Sequence, residues 1–265
     1  MSWQPITNAE HHDGTGETST SIKHALRSAK HHAEAKRTPL KQTDALRIGR
    51  LTHVMVFEPE NWDALSCGCP MEDGAPMKRN SGLRKQTWAK FYDELGERDY
   101  YTPAEYELIC TITAAVHDDP EARRWMQSGV AEVSGVIEHP EYGKLKIRPD
   151  LRCSSRRVIM DLKTCEDAGP EAAAKAIRDR KYDMSAALYV DIATSIEPGE
   201  PFDFVWIFAE KSPPFDVRCY VMSETDLACG RAMYEQGLKT IKNGDGEPET
   251  IELEQPSWYT RGILG

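Results

Sequence analysis

The amino-acid sequence predicts an α+β fold, in which a helical N-terminal region precedes a small mixed sheet flanked by helices. Helix caps and apolar stripes with a helical period characterise residues 1–128. From Val130 the pattern changes to the alternation that is typical of strands. We therefore expect a single domain over residues 1–265, with a mainly helical part (1–128), a core (129–242) and a tail (243–265).

Composition and capping residues predict the first elements. Residues 1–17 are polar and rich in Gly, Thr and His, which indicates a loop. Ser19 can cap a helix that continues to about Ala35. An apolar stripe predicts a second helix over residues 43–57, and His53 lies within it. A lone histidine on such a helix is more often a packed core residue than a ligand, so its position alone assigns it no function.

The middle of the chain alternates between a loop and helices. Residues 59–83 are rich in Pro, Gly, Cys and Asn and predict a long loop, after which residues 88–95 predict a helix. Thr102 is followed by a proline and, three residues on, by Glu105. This combination of a cap, an N1 proline and a capping-box glutamate predicts a helix that continues to about His117.

The predicted core begins with three strands. The first starts at Val130, and Glu132 and Glu138 have equal parity on it, which places them on one face. Strands over residues 144–150 and 158–163 follow, and the short polar link between them is typical of a hairpin. Helices over residues 167–182, 183–196 and 223–241, and strands over 202–208 and 216–221, complete the core. We expect the acidic tail after residue 243 to be only partly ordered.

The hairpin would bring two acids together. Asp150 ends its first strand and Asp161 its second, and Lys163, two residues beyond Asp161, points to the same face. Two adjacent carboxylates repel each other unless a cation lies between them, and hard oxygen ligands favour magnesium or manganese over zinc. A lysine beside the ion can orient a water or balance the charge of a phosphate. These groups are the minimum for metal-assisted phosphodiester hydrolysis.

The Asp-x-Lys spacing is weak evidence by itself, because about one match is expected by chance in a chain of this length. Two features of its context favour the functional interpretation. The Asp161 motif ends an apolar strand, and an Arg-Pro-Asp sequence, which includes Arg148, ends the strand before it.

The net charge of −10 is unusual for a protein that binds nucleic acid, but the charge is unevenly distributed. Residues 1–50 carry eight Lys/Arg against five Asp/Glu, residues 140–182 carry eleven against seven, and residues 183–265 carry six against fifteen. Basic charge thus collects around the candidate site and the N-terminal region, where it can bind phosphates while the remaining surface repels them. Charge alone does not distinguish such a groove from ordinary solvated surface.

The remaining composition indicates a cytoplasmic protein. The seven cysteines are scattered, and we expect free thiols in a reducing compartment rather than a zinc or iron–sulfur site. The sequence contains no apolar run long enough to span a membrane. The first residues lack the basic and apolar regions of a signal peptide.

Pro149-Asp150 and Asp161-Leu162-Lys163 resemble the motif of the PD-(D/E)xK nuclease superfamily. Nearly the whole chain resembles the exonuclease VIII (RecE-type) branch of phage and prophage enzymes. Residues 45–59, which include His53, look like the histidine-bearing helix of that branch, and Ala131-Glu132 looks like the opening of its first core strand. Residues 182–189 look like its Gln-x-x-x-Tyr helix, but Ser185 stands where the glutamine would be.

The resemblance implies a restriction-endonuclease-like core and a metal-dependent 5′-to-3′ exodeoxyribonuclease. Such an enzyme acts on double-stranded DNA ends and leaves 3′ single-stranded overhangs for recombination by single-strand annealing. By the same resemblance, one Mg²⁺ is held by Asp150, Asp161, the Leu162 carbonyl and His53. Mn²⁺ is expected to substitute for it. Lys163 positions a water, and a second ion lies near Glu132.

The resemblance also implies contacts with DNA and with other proteins. The candidates for DNA binding are Lys23, Arg27, Arg148, Tyr182 and Tyr189. Buried packing with a hydrogen-bonded hydroxyl explains each tyrosine equally well. The branch works as a ring that threads DNA, so we expect a homo-oligomer such as a tetramer, working beside a single-strand annealing protein in a bacterial cell or phage-infected host.

Two other functions stay open on the sequence. One is a structure-specific or sequence-specific endonuclease of the same superfamily, which would cut DNA that has no end. The other is a catalytically silent DNA-binding protein that has kept the fold. Ser185 is the feature that favours this second alternative, whereas the intact Asp150, Asp161 and Lys163 argue against it.

Overall fold

The computed structural model describes residues 1–7, 10–11, 14–38 and 42–244. The predicted tail, residues 243–265, lies outside these residues apart from its first two positions. The helices are α1 (Ser19–Ala25), α2 (Ala29–Arg37), α3 (Asp44–Phe57), α4 (Trp62–Leu65), α5 (Gly82–Leu95), α6 (Pro103–Asp118), α7 (Pro120–Met126), α8 (Pro170–Asp179), α9 (Tyr182–Ile196) and α10 (Glu224–Asn243). The strands are β1 (Ser2–Gln4), β2 (Ser66–Gly68), β3 (Met71–Glu72), β4 (Ala75–Pro76), β5 (Asp99–Tyr101), β6 (Val130–Ala131), β7 (Ser134–His139), β8 (Gly143–Ile147), β9 (Leu151–Cys153), β10 (Val158–Cys165), β11 (Asp203–Glu210) and β12 (Val217–Val221).

The helices α3 and α6 form where the sequence predicts them, whereas Thr18 caps α1 in place of the predicted Ser19. The Thr43 side chain caps α3 by accepting the backbone N–H of Leu46 at 3.3 Å. At α6 the Thr102 hydroxyl accepts the N–H of Glu105 at 3.2 Å, while the Glu105 carboxylate accepts the N–H of Thr102 at 2.8 Å. The predicted capping box is therefore confirmed.

Three predictions for the first hundred residues are wrong in part. Residues 1–17 include the strand β1, and residues 59–83 contain the short elements α4, β2, β3 and β4. The predicted helix 19–35 divides into α1 and α2. The division has a local cause, since Ser28 leaves the helical conformation and its side chain caps α2 by accepting the N–H of His31 at 3.2 Å.

A five-stranded mixed sheet forms the centre of the fold, in the order β12-β11-β10-β9-β6. β10 and β11 are parallel, and the other neighbours are antiparallel. The helices α8 and α9 connect β10 to β11, because parallel neighbours need a crossover. The prediction of a small mixed sheet with flanking helices is confirmed.

The predicted hairpin partner of β10 is wrong. The strand predicted over residues 144–150 ends at Ile147 as β8, and β8 pairs with β7 in a separate three-stranded sheet, ordered β1-β7-β8. The hairpin forms instead between β9 and β10, with Leu151 opposite Met160 and a turn over Ser154–Arg156. The polar segment between the two predicted strands, residues 151–157, therefore contains the strand β9.

The predicted first core strand is also divided. β6 belongs to the five-stranded sheet and β7 to the three-stranded sheet. Glu132 lies between them with a φ of +51°, in the left-handed region that non-glycine residues rarely adopt. This backbone turn moves the chain from one sheet to the other. Glu132 and Glu138 consequently do not share a strand face, contrary to the prediction.

Apolar clusters cover both faces of the central sheet. Alternate residues of β10 point to opposite faces. Ile159 lies in a cluster with residues of α1, α9 and α10, and Leu162 lies in a second cluster with residues of α3, α6 and α7. Asp161 and Lys163 have the parity of Ile159, so they face the side of the sheet that α9 covers.

Two further sequence features can be compared with the structure. Within the described ranges, no helix combines the length and the apolar character that crossing a bilayer requires. All seven cysteines lie in described residues, and each is a free thiol.

Candidate active site

Asp150 and Asp161 converge at the end of the β9–β10 hairpin. The pairing of Leu151 with Met160 makes these two acids the next residues on their strands. Asp150 is 8% exposed, and its Oδ2 accepts the backbone N–H of Leu162 at 2.6 Å. This hydrogen bond holds the Asp150 carboxylate against the Asp161-Leu162-Lys163 segment.

His53 reaches the same place from α3, on the opposite side of the hairpin from α9. Its Nδ1 lies 3.2 Å from Oδ1 of Asp150. The two oxygens of Asp150 thus face different partners, one the backbone of β10 and the other the imidazole. The His53 ring also packs edge-on against Phe57, one turn along the helix, with the ring centroids 6.2 Å apart. His53, whose position in the sequence is more typical of a packed core residue, therefore lies beside the two acids.

A buried ion pair joins α3 to α6. The Arg47 side chain is 3% exposed, and its guanidinium donates to both carboxylate oxygens of Glu105, at 3.0 and 2.7 Å. The same guanidinium donates to Asp44 at 2.9 Å and lies over the Tyr100 ring, 4.1 Å from its centroid. The pair thus fixes α3, the helix that carries His53, against α6.

Glu132 joins the site from the break between β6 and β7. Its backbone N–H donates to the carbonyl of Asp150 at 3.1 Å, and its carboxylate accepts Nε of Arg148 at 2.7 Å. One ligand atom from each of His53, Glu132 and Asp150 lies within 4.8 Å of the other two. The predicted strand geometry for Glu132 is wrong, yet the structure places the residue among the other candidates.

Lys163 lies on the other side of the acids. Its ammonium donates to Asp161 and to the Leu162 carbonyl, the latter at 3.3 Å. The same ammonium lies over the rings of Tyr182 and Trp206, at 5.3 and 5.6 Å from their centroids. Aromatic faces and a carboxylate thus surround the cation, and an electronegative aromatic face attracts positive charge.

The carboxylates have strongly perturbed acidities. Burial and the charge of Asp150 raise the pKa of Asp161 to about 6, against the opposing effect of Lys163. Burial and Asp150 likewise raise the pKa of Glu132 to about 7, against the opposing effect of Arg148. Raised pKa values of this kind arise where several carboxylates share one partly buried place.

His53 and Asp150 behave as a pair of opposite charges. Burial alone lowers the pKa of His53, but the charge and hydrogen bond of Asp150 outweigh burial and raise it. Burial alone raises the pKa of Asp150, but His53 and then Lys163 outweigh burial and lower it. Asp150 is therefore the carboxylate that stays ionised most readily in this cluster.

The donor set fits a hard divalent cation. Carboxylate oxygens from Asp150 and Glu132 and one imidazole nitrogen from His53 face a common space, with Asp161 and the Leu162 carbonyl on the adjoining strand. Oxygen-rich sites of this composition suit Mg²⁺ or Mn²⁺. A cation bound there would also offset the repulsion that raises the pKa of Glu132 and Asp161.

Not all of the residues predicted to bind DNA lie at the site. Lys23 lies on α1 with its ammonium 5.2 Å from the centroid of the Tyr182 ring, and burial followed by the charge of Lys163 lowers its pKa to about 8. Arg27 is exposed in the turn after α1, and burial followed by the charge of Arg27 lowers the pKa of His24. The structure brings Lys23 and Tyr182 to the site, and it leaves Arg27 on the neighbouring surface.

Two candidates face inward. Arg148 donates to Glu132, to Ser134 and to the backbone, which favours a role inside the site over contact with a phosphate. The Tyr189 hydroxyl donates to the carbonyl of Arg148 at 3.4 Å. Burial, followed by the charges of Asp161 and Asp150, raises the pKa of Tyr189.

Ser185 is buried within α9, among the side chains that cover the sheet. Sequence reasoning missed two positioning groups, the Arg47–Glu105 pair and the contact of Arg148 with Glu132. The first had a visible signal, because an arginine inside an apolar helical segment needs a buried acid as partner. The second had none, since it depends on the backbone turn at Glu132.

A mixed sheet with flanking helices, and a Pro-Asp and an Asp-x-Lys sequence meeting on adjacent strands, define a protein of the PD-(D/E)xK nuclease class. The chain belongs to the family described as the PDDEXK-like domain of unknown function (DUF3799), whose profile matches residues 18–253. Membership and site geometry together support nuclease activity. No curated protein matches the chain.

A solved structure shows the same fold. The chain is similar to a protein from Eubacterium rectale whose crystal structure is described as that of a "Putative exonuclease", with 17% identity, a TM-score of 0.64 and coverage of 99% of each chain. A crystal structure of the protein SSO0001 shares 13% identity over 85% of this chain and 87% of that chain, with a TM-score of 0.31. Only the first likeness is close enough to support the fold.

Proposed function

We propose that the protein is a metal-dependent exodeoxyribonuclease that acts on the ends of double-stranded DNA. The observation that carries this proposal is the meeting of Asp150, Asp161 and Lys163 at the end of one hairpin, with His53 and Glu132 beside them. The likeness to the Eubacterium rectale protein over 99% of both chains supports an exonuclease over an endonuclease.

In the proposed mechanism, Asp150, Asp161, His53, Glu132 and the Leu162 carbonyl hold one or two divalent cations, Mg²⁺ or Mn²⁺. When bound, such a cation activates a water and neutralises charge on the phosphodiester. His53 can bind the ion only through a ring nitrogen that carries no proton. Asp150 raises the pKa of His53 and so favours the protonated ring, and binding through Nδ1 therefore requires that Nδ1 lose its proton.

Lys163 supplies the fixed positive charge. Burial alone lowers its pKa, but Asp161 and then Asp150 outweigh burial and raise the pKa above its ordinary value. The ammonium therefore stays protonated at neutral pH and can donate to the attacking water or to a phosphate oxygen. The hydrogen bond to the Leu162 carbonyl keeps Nζ beside the backbone oxygen that we assign as a ligand.

The finer features of the proposal are supported by the resemblance to the exonuclease VIII branch. They are digestion from 5′ to 3′, products with 3′ single-stranded overhangs, a ring-shaped homo-oligomer such as a tetramer, and work beside a single-strand annealing protein. Lys23, Arg27 and Tyr182 are the residues proposed to contact the DNA end. Light scattering tests the ring directly, because a strictly monomeric protein would remove it.

One assay tests the main proposal. Linear duplex DNA labelled at either end is incubated with Mg²⁺, and covalently closed circular DNA serves as the substrate without ends. We expect loss of the linear DNA, with release of the 5′ label first, and an intact circle. Cleavage of the circle would favour an endonuclease, and binding of DNA in Ca²⁺ without cleavage in Mg²⁺ or Mn²⁺ would favour a silent DNA-binding protein.

Variants assign the activity to the site. Asp161→Asn and Lys163→Ala should each lower the rate by roughly 10³-fold or more while the fold persists, because each removes a group that acts on the reacting atoms. Asp203→Asn and Lys211→Ala are matched controls at exposed or partly exposed positions of β11 and the loop after it. Near-normal cleavage by either site variant would show that the site is misassigned.

A further inference from the structure

The first residues of the chain dock against the strand that follows Glu132. β1 pairs antiparallel with β7, with Trp3 opposite Gly135 and Gln4 opposite Ser134. Gly135 permits the contact, because a Cβ at this position would lie 2.8 Å from Cζ3 of Trp3 and 2.9 Å from Ile147. The absence of a side chain at residue 135 thus creates the place where the indole packs.

The Trp3 side chain is held by groups from two other elements. Its indole N–H donates to Glu197, at the C-terminal end of α9, at 2.6 Å. Arg152 on β9 lies over the indole ring, 4.4 Å from its centroid, and donates to the same carboxylate. The N-terminal strand is therefore attached to both sheets and to α9, rather than lying loosely on the surface.

Beyond β1 the chain reaches Arg148. Nη1 of Arg148 donates to the carbonyl of Ile6 at 2.7 Å and to Oγ of Ser134 at 3.0 Å, while Nε donates to Glu132 at 2.7 Å. The Arg148 side chain is only 12% exposed. A planar guanidinium held at two of its nitrogens has a fixed orientation, so the Ile6 carbonyl helps to set the direction in which Arg148 meets Glu132.

Glu132 depends on this contact because its backbone belongs to neither strand. Its φ of +51° is a conformation that costs energy for a residue with a side chain, and such conformations persist where the surroundings determine them. The two described contacts that orient it are its N–H to the Asp150 carbonyl and its carboxylate to Arg148. The first holds the backbone, and the second directs the carboxylate.

We infer that residues 1–7 and Arg148 form a strap that orients Glu132 for binding a divalent cation, with Arg148 as a positioning residue. The inference rests on the proposed function only in assigning Glu132 to a cation site, and it does not require that the protein cut DNA. Groups that orient metal ligands typically change metal affinity by about 10–100-fold when they are replaced. The strap thereby makes the N-terminal segment part of the site.

Binding of Mn²⁺ alone, without DNA, tests the inference. Free Mn²⁺ is measured by electron paramagnetic resonance, and the affinity is checked by calorimetry. We expect Arg148→Gln to weaken Mn²⁺ binding about 10-fold or more, deletion of residues 2–6 to weaken it in the same direction, and Arg148→Lys to recover part of the loss. Lys144→Gln is the matched control, since Lys144 lies on β8 and faces Glu138 at the surface, 3.9 Å away.

A double-mutant cycle separates positioning from general structural damage. In Glu132→Gln the carboxylate is already lost, so adding Arg148→Gln should change Mn²⁺ affinity little further, whereas a merely structural role would add its full effect. Thermal unfolding identifies variants that fail to fold, and Arg148→Lys keeps the test usable in that case.

Three outcomes overturn the inference. They are unchanged Mn²⁺ affinity in folded Arg148→Gln, unchanged affinity in Glu132→Gln, and additive losses in the double variant. Mn²⁺ binding that depends on Arg148, in a protein that cuts no DNA, would instead remove the nuclease proposal and leave the strap in place.

Discussion

Replacing Arg47 with methionine tests how the histidine-bearing helix α3 is held against the rest of the fold. Methionine keeps a long apolar side chain but removes the guanidinium that binds both oxygens of Glu105. Removing one partner of a buried ion pair costs about 3–5 kcal/mol, because the other charge stays in place without compensation. Since the Glu105 side chain is 19% exposed, we take the lower end of that range.

The expected loss is therefore about 3 kcal/mol in the free energy of unfolding, which lowers Tm by roughly 6–12 °C for a chain of this size. Urea unfolding followed by circular dichroism measures it. Arg50→Met is the matched control on the same helix. The Arg50 side chain is 49% exposed where it meets Asp99, whereas the Arg47 side chain is 3% exposed. Solvent screens the Arg50 pair more strongly, so we expect its loss to cost about 1 kcal/mol.

The effect of Arg47 should also depend on pH. Burial alone raises the pKa of Glu105, but its hydrogen bonds with Arg47 outweigh burial and lower the pKa below its ordinary value. A carboxyl with a lowered folded pKa adds stability above its unfolded pKa and loses that stability as pH falls through the folded pKa. The difference in the free energy of unfolding between wild type and Arg47→Met should therefore become smaller at acid pH. Equal stability of Arg47→Met and Arg50→Met at neutral pH would refute this reasoning.

Three further predictions concern the site and its frame. The raised pKa values of Glu132 (about 7) and Asp161 (about 6) mean that the folded, metal-free protein keeps protons that the unfolded chain releases. The stability of the metal-free protein should therefore fall as pH rises from about 4 to 7. The affinity for Mn²⁺, measured by calorimetry, should rise over the same interval, because the cation replaces these protons. An affinity that does not change with pH would contradict this prediction. The pKa of Lys23, about 8, predicts that DNA affinity in Ca²⁺, read by fluorescence anisotropy, weakens as pH rises through 8, while Lys23→Arg shows a flat profile. Gly135→Ala should cost about 1–3 kcal/mol in urea unfolding because its Cβ would overlap packed side chains, whereas Gly49→Ala, on a helix with nothing within 4 Å, should stabilise by up to about 1 kcal/mol.

The helix ends and the acidic residues of the strands could be predicted because both are local properties. Thr102 and Glu105 cap α6 through groups three residues apart, and no distant part of the chain is needed for that contact. The parity of Asp161 and Lys163 follows from the pleat of a strand in the same way. Such features depend on near neighbours, so a single sequence carries them.

Which strands pair could not be predicted in the same way. The apolar pattern of residues 144–150 satisfies a strand beside β10 as well as a strand beside β7, and only the complete packing selects β7. The turn at Glu132 has a similar origin, since a residue with φ of +51° has no signature in hydrophobic periodicity.

The sequence by itself determined that a carboxylate follows Pro149 and that a second carboxylate and a lysine lie two residues apart on an apolar strand. It also determined that a histidine lies on an amphipathic helix. Only the tertiary structure decided that the chain entering β9 would present Asp150 to β10 and that Arg47 would join the His53-bearing helix to α6. It also decided that the segment after β1 would reach Arg148. The physical reason is that such contacts join residues far apart along the chain, and their energies arise only when the intervening segments have packed.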